Sequence, residues 1–305
     1  MRSIEVISYI LTVAPAFMAY YLTSLGQGFF EKSGVLNLAI DGVFVLGIAV
    51  GYAAGVYSGN PWVGLLAAMA AAVLFGMMLA YVTTKFPISH GAAGLSIMFL
   101  GYGLAGLIGV TARSTYNRLV ASGIYPQYTL PTSPTARILM FVIPVLVGIL
   151  FYLIETRTKL GAAIRAVGEN PHAATALGVD VIKIRLIAAL IGYSLIGAGS
   201  MGFLTWIATW SEGAGVNHGW IAYAISLAAG RHPILTIGTA GAFAALATYM
   251  FALQAAYNLS PEIAKMIPFI VAIGAMVAFM ATPLRKKLAP PLSLGKRFFK
   301  EERTV

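Results

Sequence analysis

The chain has no cysteine, which excludes disulfide frameworks, thiolate catalysis and cysteine-ligated metals. Charge is scarce too: Asp, Glu, Lys and Arg make up 10% of the 305 residues, against about a quarter in ordinary soluble domains. A soluble domain of this length needs more polar surface than that, and the deficit vanishes if lipid is the solvent for most of the surface. The histidines His90, His172, His218 and His232 are scattered, and no H-E-x-x-H or Ser-His-Asp arrangement occurs, so neither a metal site nor a hydrolytic centre is expected. No G-x-x-x-x-G-K-[ST] run is present, so the chain has no Walker phosphate loop of its own. The charge rings and carbonyl-rich filter loops expected of a channel are also missing.

What is present is apolar: 59% of the residues are hydrophobic, and there are 33 glycines, a residue more frequent in membrane helices than in soluble ones. A crossing needs about 20 apolar residues. Candidate spans are 4–30, 33–59, 61–84, 86–112, 137–154, 186–207, 213–230, 233–256 and 266–284. The first is too long for a signal peptide and is followed at once by another apolar run, so it reads as a retained span. Gly59-Asn60-Pro61 divides a charge-free stretch at a natural turn. The expected fold class is all-α: a polytopic transmembrane helical bundle of about nine segments, with eight to ten as the range. Spans 33–59 and 213–230 are candidates for broken or re-entrant helices, which the bilayer permits only where protein or a water-filled cavity surrounds them. The whole chain, 1–305, reads as one transmembrane domain with an external loop at 113–137, a cytoplasmic loop at 155–185 and a basic cytoplasmic tail at 285–305.

The net charge of +10 sets topology rather than nucleic-acid binding, because the basic residues lie mostly between or after apolar runs. Nine crossings place Lys32, Lys85, Arg157, Lys159, Arg165, Lys183, Arg185, Arg231 and seven tail residues in the cytoplasm, 8 + 7 = 15, against five outside: Arg2, Arg113, Arg118, Arg137 and Lys265. This puts the N-terminus outside.

Small residues recur four apart at Gly47, Gly51 and Gly55, at Gly101, Ala105 and Gly109, and in the pairs Gly238–Ala242 and Gly274–Ala278. Such stripes let backbones approach closely, and only the triple at 47–55 rises above the usual glycine content of membrane helices. Asp41 is the one acidic residue well inside a span. Eight residues past Ser33, it stands ~12 Å along a helix and near the middle of a ~30 Å hydrocarbon core. A carboxylate there costs about 2.5–3.5 kcal/mol on insertion scales. Asn37 would share its face on a continuous helix, although Gly34 and Gly42 bracket the pair and favour a break. Two readings stay open: a polar element lining a translocation path, or a structural carboxylate that caps a helix end or pairs with a neighbouring span. His90 and Asn258 are expected at the membrane interfaces.

The stretch 158–185 reads as two short helices, the first ending at Gly168, the second with Asn170 as N-cap, Pro171 at the first helical position and Gly178 at its end. So short a helix is marginal alone. Its small apolar faces (Ala173, Ala174, Ala176 and Leu177) suit a groove on another protein better than a lipid surface, which favours larger apolar residues.

This loop resembles that of the permease subunits of ABC importers, in the branch that carries nucleosides, simple sugars and branched-chain amino acids. Gly161, Arg165, Ala166, Gly168, Glu169, Asn170, Pro171, Ala173, Ala174 and Gly178 fit the family's loop pattern. Ser33-Gly34-Val35-Leu36-Asn37-Leu38-Ala39-Ile40-Asp41-Gly42 looks like a second family segment, with Asp41 where the family carries Glu. Gly219-Trp220-Ile221-Ala222-Tyr223-Ala224 with Gly230-Arg231-His232-Pro233 is a third, in which Tyr223 and Arg231-His232 stand where nucleoside-type members have Leu and an aromatic residue. The resemblance implies a chain in the prokaryotic plasma membrane that binds no cofactor and is not an enzyme. It would pair with a second permease subunit, identical or homologous, with two cytoplasmic ATPases that use the ATP and with an extracellular solute-binding protein. On this reading Asn170–Gly178 is the coupling helix and Arg165 and Glu169 orient it, so the docking set is Arg165, Gly168, Glu169, Asn170, Pro171, Ala173, Ala174 and Gly178. Asn37, Asp41, Gly42 and Trp220 are the candidates for the translocation path. Nucleosides or simple sugars are the expected solutes, with branched-chain amino acids as an alternative. The rival reading is a self-contained secondary transporter with Asp41 as its ion or proton site. Gly34-Val35-Leu36-Asn37 and Gly215-Val216-Asn217 also form a short internal echo, of the kind inverted repeats leave.

Overall fold

The computed structural model describes residues 11–86, 88–258, 260–283 and 288–299. Arg2, Arg285, Lys286, Lys287, Lys300 and Arg303 of the charge count, and the first part of span 4–30, lie outside the described residues. The described residues form eleven helices: α1 (Ala14–Glu31), α2 (Ile40–Ser58), α3 (Pro61–Lys85), α4 (His90–Ala121), α5 (Pro134–Arg157), α6 (Lys159–Glu169), α7 (Pro171–Ala176), α8 (Val181–Ile207), α9 (His218–Ala228), α10 (Pro233–Tyr257) and α11 (Pro261–Ala281). Six of them, α2, α3, α4, α5, α8 and α10, are each long and apolar enough to cross a membrane.

Local chemistry sets many of the boundaries. Gly59 takes the left-handed conformation that closes α2 (φ 66°), and Asn60 Oδ1 accepts from Trp62 N at 2.9 Å to open α3. Thr158 ends α5 and caps α6, accepting from Gly161 N at 3.1 Å. Asp180 caps α8, accepting from Lys183 N at 3.1 Å. The loop between α4 and α5 is shorter than the expected 113–137, because α4 continues to Ala121 and α5 starts at Pro134. The loop expected at 155–185 likewise closes early, since Asp180 starts α8 five residues before Arg185.

At the centre stands α1, buried all round except at Met18. It lies along α8, which also packs against α3; α2 fills the space beside them and carries α4, while α5 and α10 cover α1 from the other side. Glycines make the crossings tight. A Cβ at Gly26 of α1 would meet the Gly192 carbonyl of α8, one at Gly42 the Met98 backbone of α4, and one at Gly76 the Tyr193 ring. Gly26→Val is therefore expected to overpack the central crossing and cost about 1–3 kcal/mol; the temperature at which the detergent-purified protein loses its monodisperse peak should fall, and an unchanged midpoint would refute the crossing. The stripe at 47–55 packs as expected, but on four residues from different parts of the chain: Gly47 faces Ser200, Gly51 faces Gly64 and Met201, and Gly55 faces Tyr128. Gly238 and Gly274 have open space around them and make no such contact.

Two elements are broken. Residues 35–39 are non-helical, so α2 starts only at Ile40. This overturns the expectation that Asn37 and Asp41 share one helix face. Residues 208–217 are a second non-helical stretch, with left-handed backbone at Ala208, Gly213, Gly215 and Asn217, and the short α9 follows. At 11 residues α9 spans ~16 Å, about half a hydrocarbon core. The two segments of the internal echo lead into α2 and α9 respectively.

Candidate functional site

The N-termini of α2 and α9 meet inside the bundle, and Asp41 lies between them. Asn217 at the start of α9 provides no side-chain cap. Asp41 supplies it from α2: Oδ2 accepts from Asn217 N at 2.9 Å, and Oδ1 accepts from Gly219 N at 2.6 Å and Trp220 N at 3.3 Å. The Tyr102 hydroxyl of α4 donates to Oδ2. Gly219 permits the approach, since a Cβ there would meet the Asp41 backbone. A carboxylate at two helix N-termini meets their partial positive charge and the orphan N–H groups together. Asp41 is fully buried and spends both oxygens on these four donors.

The non-helical stretch before α2 poses the usual membrane problem, that every backbone polar group needs a partner inside the protein. Side chains provide them. Glu31 Oε1 accepts from Asn37 N at 3.3 Å and His90 Nδ1 from Leu36 N at 3.2 Å. Gln27 Nε2 donates to the Asn37 carbonyl at 3.4 Å, and Arg185 Nε to the Ser33 carbonyl at 3.1 Å. Asn37 itself is locked: its Nδ2 donates to Gln27 at 2.6 Å, and its Oδ1 accepts from Tyr193 at 2.7 Å and Ala39 N at 3.1 Å. His90, at the start of α4, is buried within the protein, and Arg185, counted among the cytoplasmic basic residues, is wholly buried under Phe298. Neither role has a local sequence signal, because both depend on where helices 54 and 152 residues away return.

The end of the bundle that holds Lys32 gathers charge. Arg231 Nε meets Glu31 at 2.7 Å, and Lys32 Nζ meets Glu155 at 2.5 Å. A cavity of about 430 Å³ opens beside them, lined also by Arg165, Glu169 and His232. Burial, aided by the Lys32 ammonium, lowers the pKa of His232, whose Nδ1 accepts from Leu235 N at 3.4 Å to cap α10.

The loop between α5 and α8 has the two helices expected, with Asn170 as N-cap of α7 (Oδ1 to Ala173 N, 3.0 Å) and Gly178 left-handed at φ 84°. Gly168 lies inside α6 rather than after it, where a Cβ would meet the Lys32 carbonyl. Residues 291–298 form a strap across this unit. Ser293 N and Oγ donate to the Gly168 carbonyl, Leu292 N donates to Glu169 at 3.3 Å, and Gly295 N donates to the Gly34 carbonyl at 3.1 Å. Phe298 closes a small apolar cluster with Val167, Ala174 and Val181 and packs on His172. Ala174 therefore faces inward, at 2% exposure, whereas Leu177 is 84% exposed and Ala173 and Ala176 are exposed beside it.

Residues 9–276 match the family described as branched-chain amino acid transport system / permease component. The chain belongs to this permease family. Among its relatives, the guanosine ABC transporter permease protein NupQ of Bacillus subtilis is 27% identical, over 96% of this chain and 100% of its own length. The nucleoside ABC transporter permease protein NupC of Lactococcus lactis is 24% identical over 87% of this chain and 90% of its own. TsgC13 of Haloferax volcanii, assigned as a glucose ABC transporter permease, is 29% identical over 70% of this chain and 67% of its own. No solved structure matches. The chain is thus an ABC importer permease, a multi-pass plasma-membrane transport subunit that works with ATPase and binding-protein partners and is not itself an enzyme.

Within this permease the structure brings together only part of the predicted set. Asp41 and Trp220 meet at the α9 N-terminus through the Trp220 backbone N–H. Gly42 lies at the α2–α4 crossing, and Asn37 lies in the network that holds the broken segment. Tyr102 had no sequence signal. Glu212, in the loop before α9, had a weak one, as the sole acidic residue between Asp180 and Glu262.

Proposed function

We propose that this permease forms half of the solute path of a nucleoside importer, built from two permease subunits, two ATPases and an extracellular binding protein, and that α6–α7 is the ATPase-coupling unit. Full-length likeness to the guanosine and nucleoside permeases carries the solute assignment, and the match to the glucose permease, over a smaller share of both chains, makes a simple sugar the second choice. The capped, strap-braced α7 with Leu177 projecting from it supports the coupling role. The path would run beside the Asp41–Tyr102–Trp220 junction, where the N-termini of α2 and the short α9 meet and small shifts of α9 alter the polar lining. A secondary transporter with Asp41 as ion site finds no support, since that carboxylate is fully engaged in capping.

Co-expression with candidate ATPase subunits tests the coupling role. Leu177→Glu puts a charge where an apolar anchor would enter a partner groove, and recovery of the ATPase should drop by about tenfold or more. Equal recovery with wild type and variant would sink the coupling role, and guanosine uptake by the permease alone under an ion gradient would sink the ABC mechanism. Ala174 is unsuitable for this purpose, because its replacement would break the α7–strap cluster first.

A further inference from the structure

On the side of α4 away from the charged end, a cleft of about 240 Å³ lies between α2, α4 and the loop 208–217. Tyr102, Ala105 and Gly106 of α4 form one wall; Trp210, Glu212 and Val216 of the loop form the other. The cleft borders the junction described above, because Tyr102 is both part of its lining and a donor to Asp41. Its size is below that of sites for drug-sized ligands, about 300–1,000 Å³, and suits a single sugar ring.

Glu212 distinguishes this cleft. Of the acidic side chains described, Asp41, Glu31, Glu155, Glu169 and Asp180 each accept hydrogen bonds from named partners. Glu212 alone among them has none, and it is exposed at the cleft. A carboxylate accepts two parallel hydrogen bonds, which is the pattern that the vicinal hydroxyls of a ribose or hexose ring present. Trp210, buried against Gly109 of α4, anchors the loop that carries Glu212. It is held by stacking on Tyr52 (centroids 5.9 Å apart, planes 14° apart) and by Arg113, which donates to its carbonyl at 2.5 Å.

We propose that this cleft receives the solute as it enters the membrane, with Glu212 accepting hydrogen bonds from a vicinal diol and Tyr102 reporting occupancy to Asp41 and so to α9. The ligand chemistry is a ring with adjacent hydroxyls, whether in a nucleoside or a free monosaccharide. The inference rests on the importer reading above and adds the place and chemistry of solute contact.

The test uses the complete complex, permease with ATPase and binding protein, in proteoliposomes. Uptake of guanosine, 2′,3′-dideoxyguanosine and glucose is compared for wild type, Glu212→Gln and Gly106→Leu. Gly106 has open space around it, so leucine there fills the cleft without displacing backbone. The expected result is that Glu212→Gln lowers uptake of the diol-bearing solute by about tenfold and brings the guanosine-to-dideoxyguanosine ratio toward one, while Gly106→Leu blocks uptake in a complex that still assembles. Glucose uptake that falls in the same way, without guanosine uptake, assigns the diol to a hexose and supports the cleft equally. A wild-type ratio retained by Glu212→Gln overturns the cleft and leaves the importer reading standing. Uptake of none of the three solutes by a wild-type complex that hydrolyses ATP overturns the solute assignment and the cleft with it.

Discussion

Asp41→Ala is expected to cost the permease at least about 4 kcal/mol of stability and to abolish transport. The deletion strands four donors at once, Asn217 N, Gly219 N, Trp220 N and the Tyr102 hydroxyl, around a carboxylate that is itself fully buried. Each buried unsatisfied donor costs about 1–3 kcal/mol, and two helix N-termini lose the negative charge between them. Asp41→Asn keeps one acceptor oxygen but turns an amide NH₂ toward the remaining donors, so an intermediate loss of about 2 kcal/mol is expected. Thermal midpoints of the purified proteins in detergent give the order wild type, Asn, Ala. A midpoint for Asp41→Ala within a degree of wild type would show that the junction between α2 and α9 does not depend on this carboxylate.

The second large effect is expected at the pair Glu31–Arg231. Glu31 is fully buried, takes the Arg231 guanidinium at 2.7 Å and also accepts from Asn37 N at 3.3 Å. Arg231→Met leaves a buried carboxylate without a counter-charge, at a cost of about 3–5 kcal/mol. The double variant Glu31→Gln with Arg231→Met removes both charges and keeps an acceptor for Asn37 N, and it should regain most of that loss. A double-mutant cycle on thermal stability measures the coupling. Additive losses would mean that the two side chains do not stabilise each other.

What could be read in the sequence was local. The turn at Gly59-Asn60-Pro61 and the caps Asn170 and Pro171 involve neighbours in the chain, and they form as the residue types dictate. The breaks before α2 and α9 were also visible, as glycine and polar residues interrupting apolar runs. Their meeting was not, because Asp41 and Asn217 are 176 residues apart and a single sequence carries no trace of that contact. The same holds for Gln27, His90 and Arg185. By position Gln27 falls inside an apolar span, His90 at an interface and Arg185 at the end of a loop, and each is buried where it satisfies a backbone that helical hydrogen bonding has abandoned. Ala174 shows the converse error: a small apolar residue on a short helix reads as docking surface until the strap that covers it is seen.

The strap also sets an order of events during synthesis. Ser293 is made 125 residues after Gly168, the group it holds, and at about 5–20 residues per second this interval is on the order of ten seconds. Throughout it, α7 is a helix of six residues without Phe298 beneath it, too short to persist unaided. The face that bears Leu177 thus gains the last of its supports, beyond its contacts with α6 and α8, only in a nascent chain that has already produced α8 to α11.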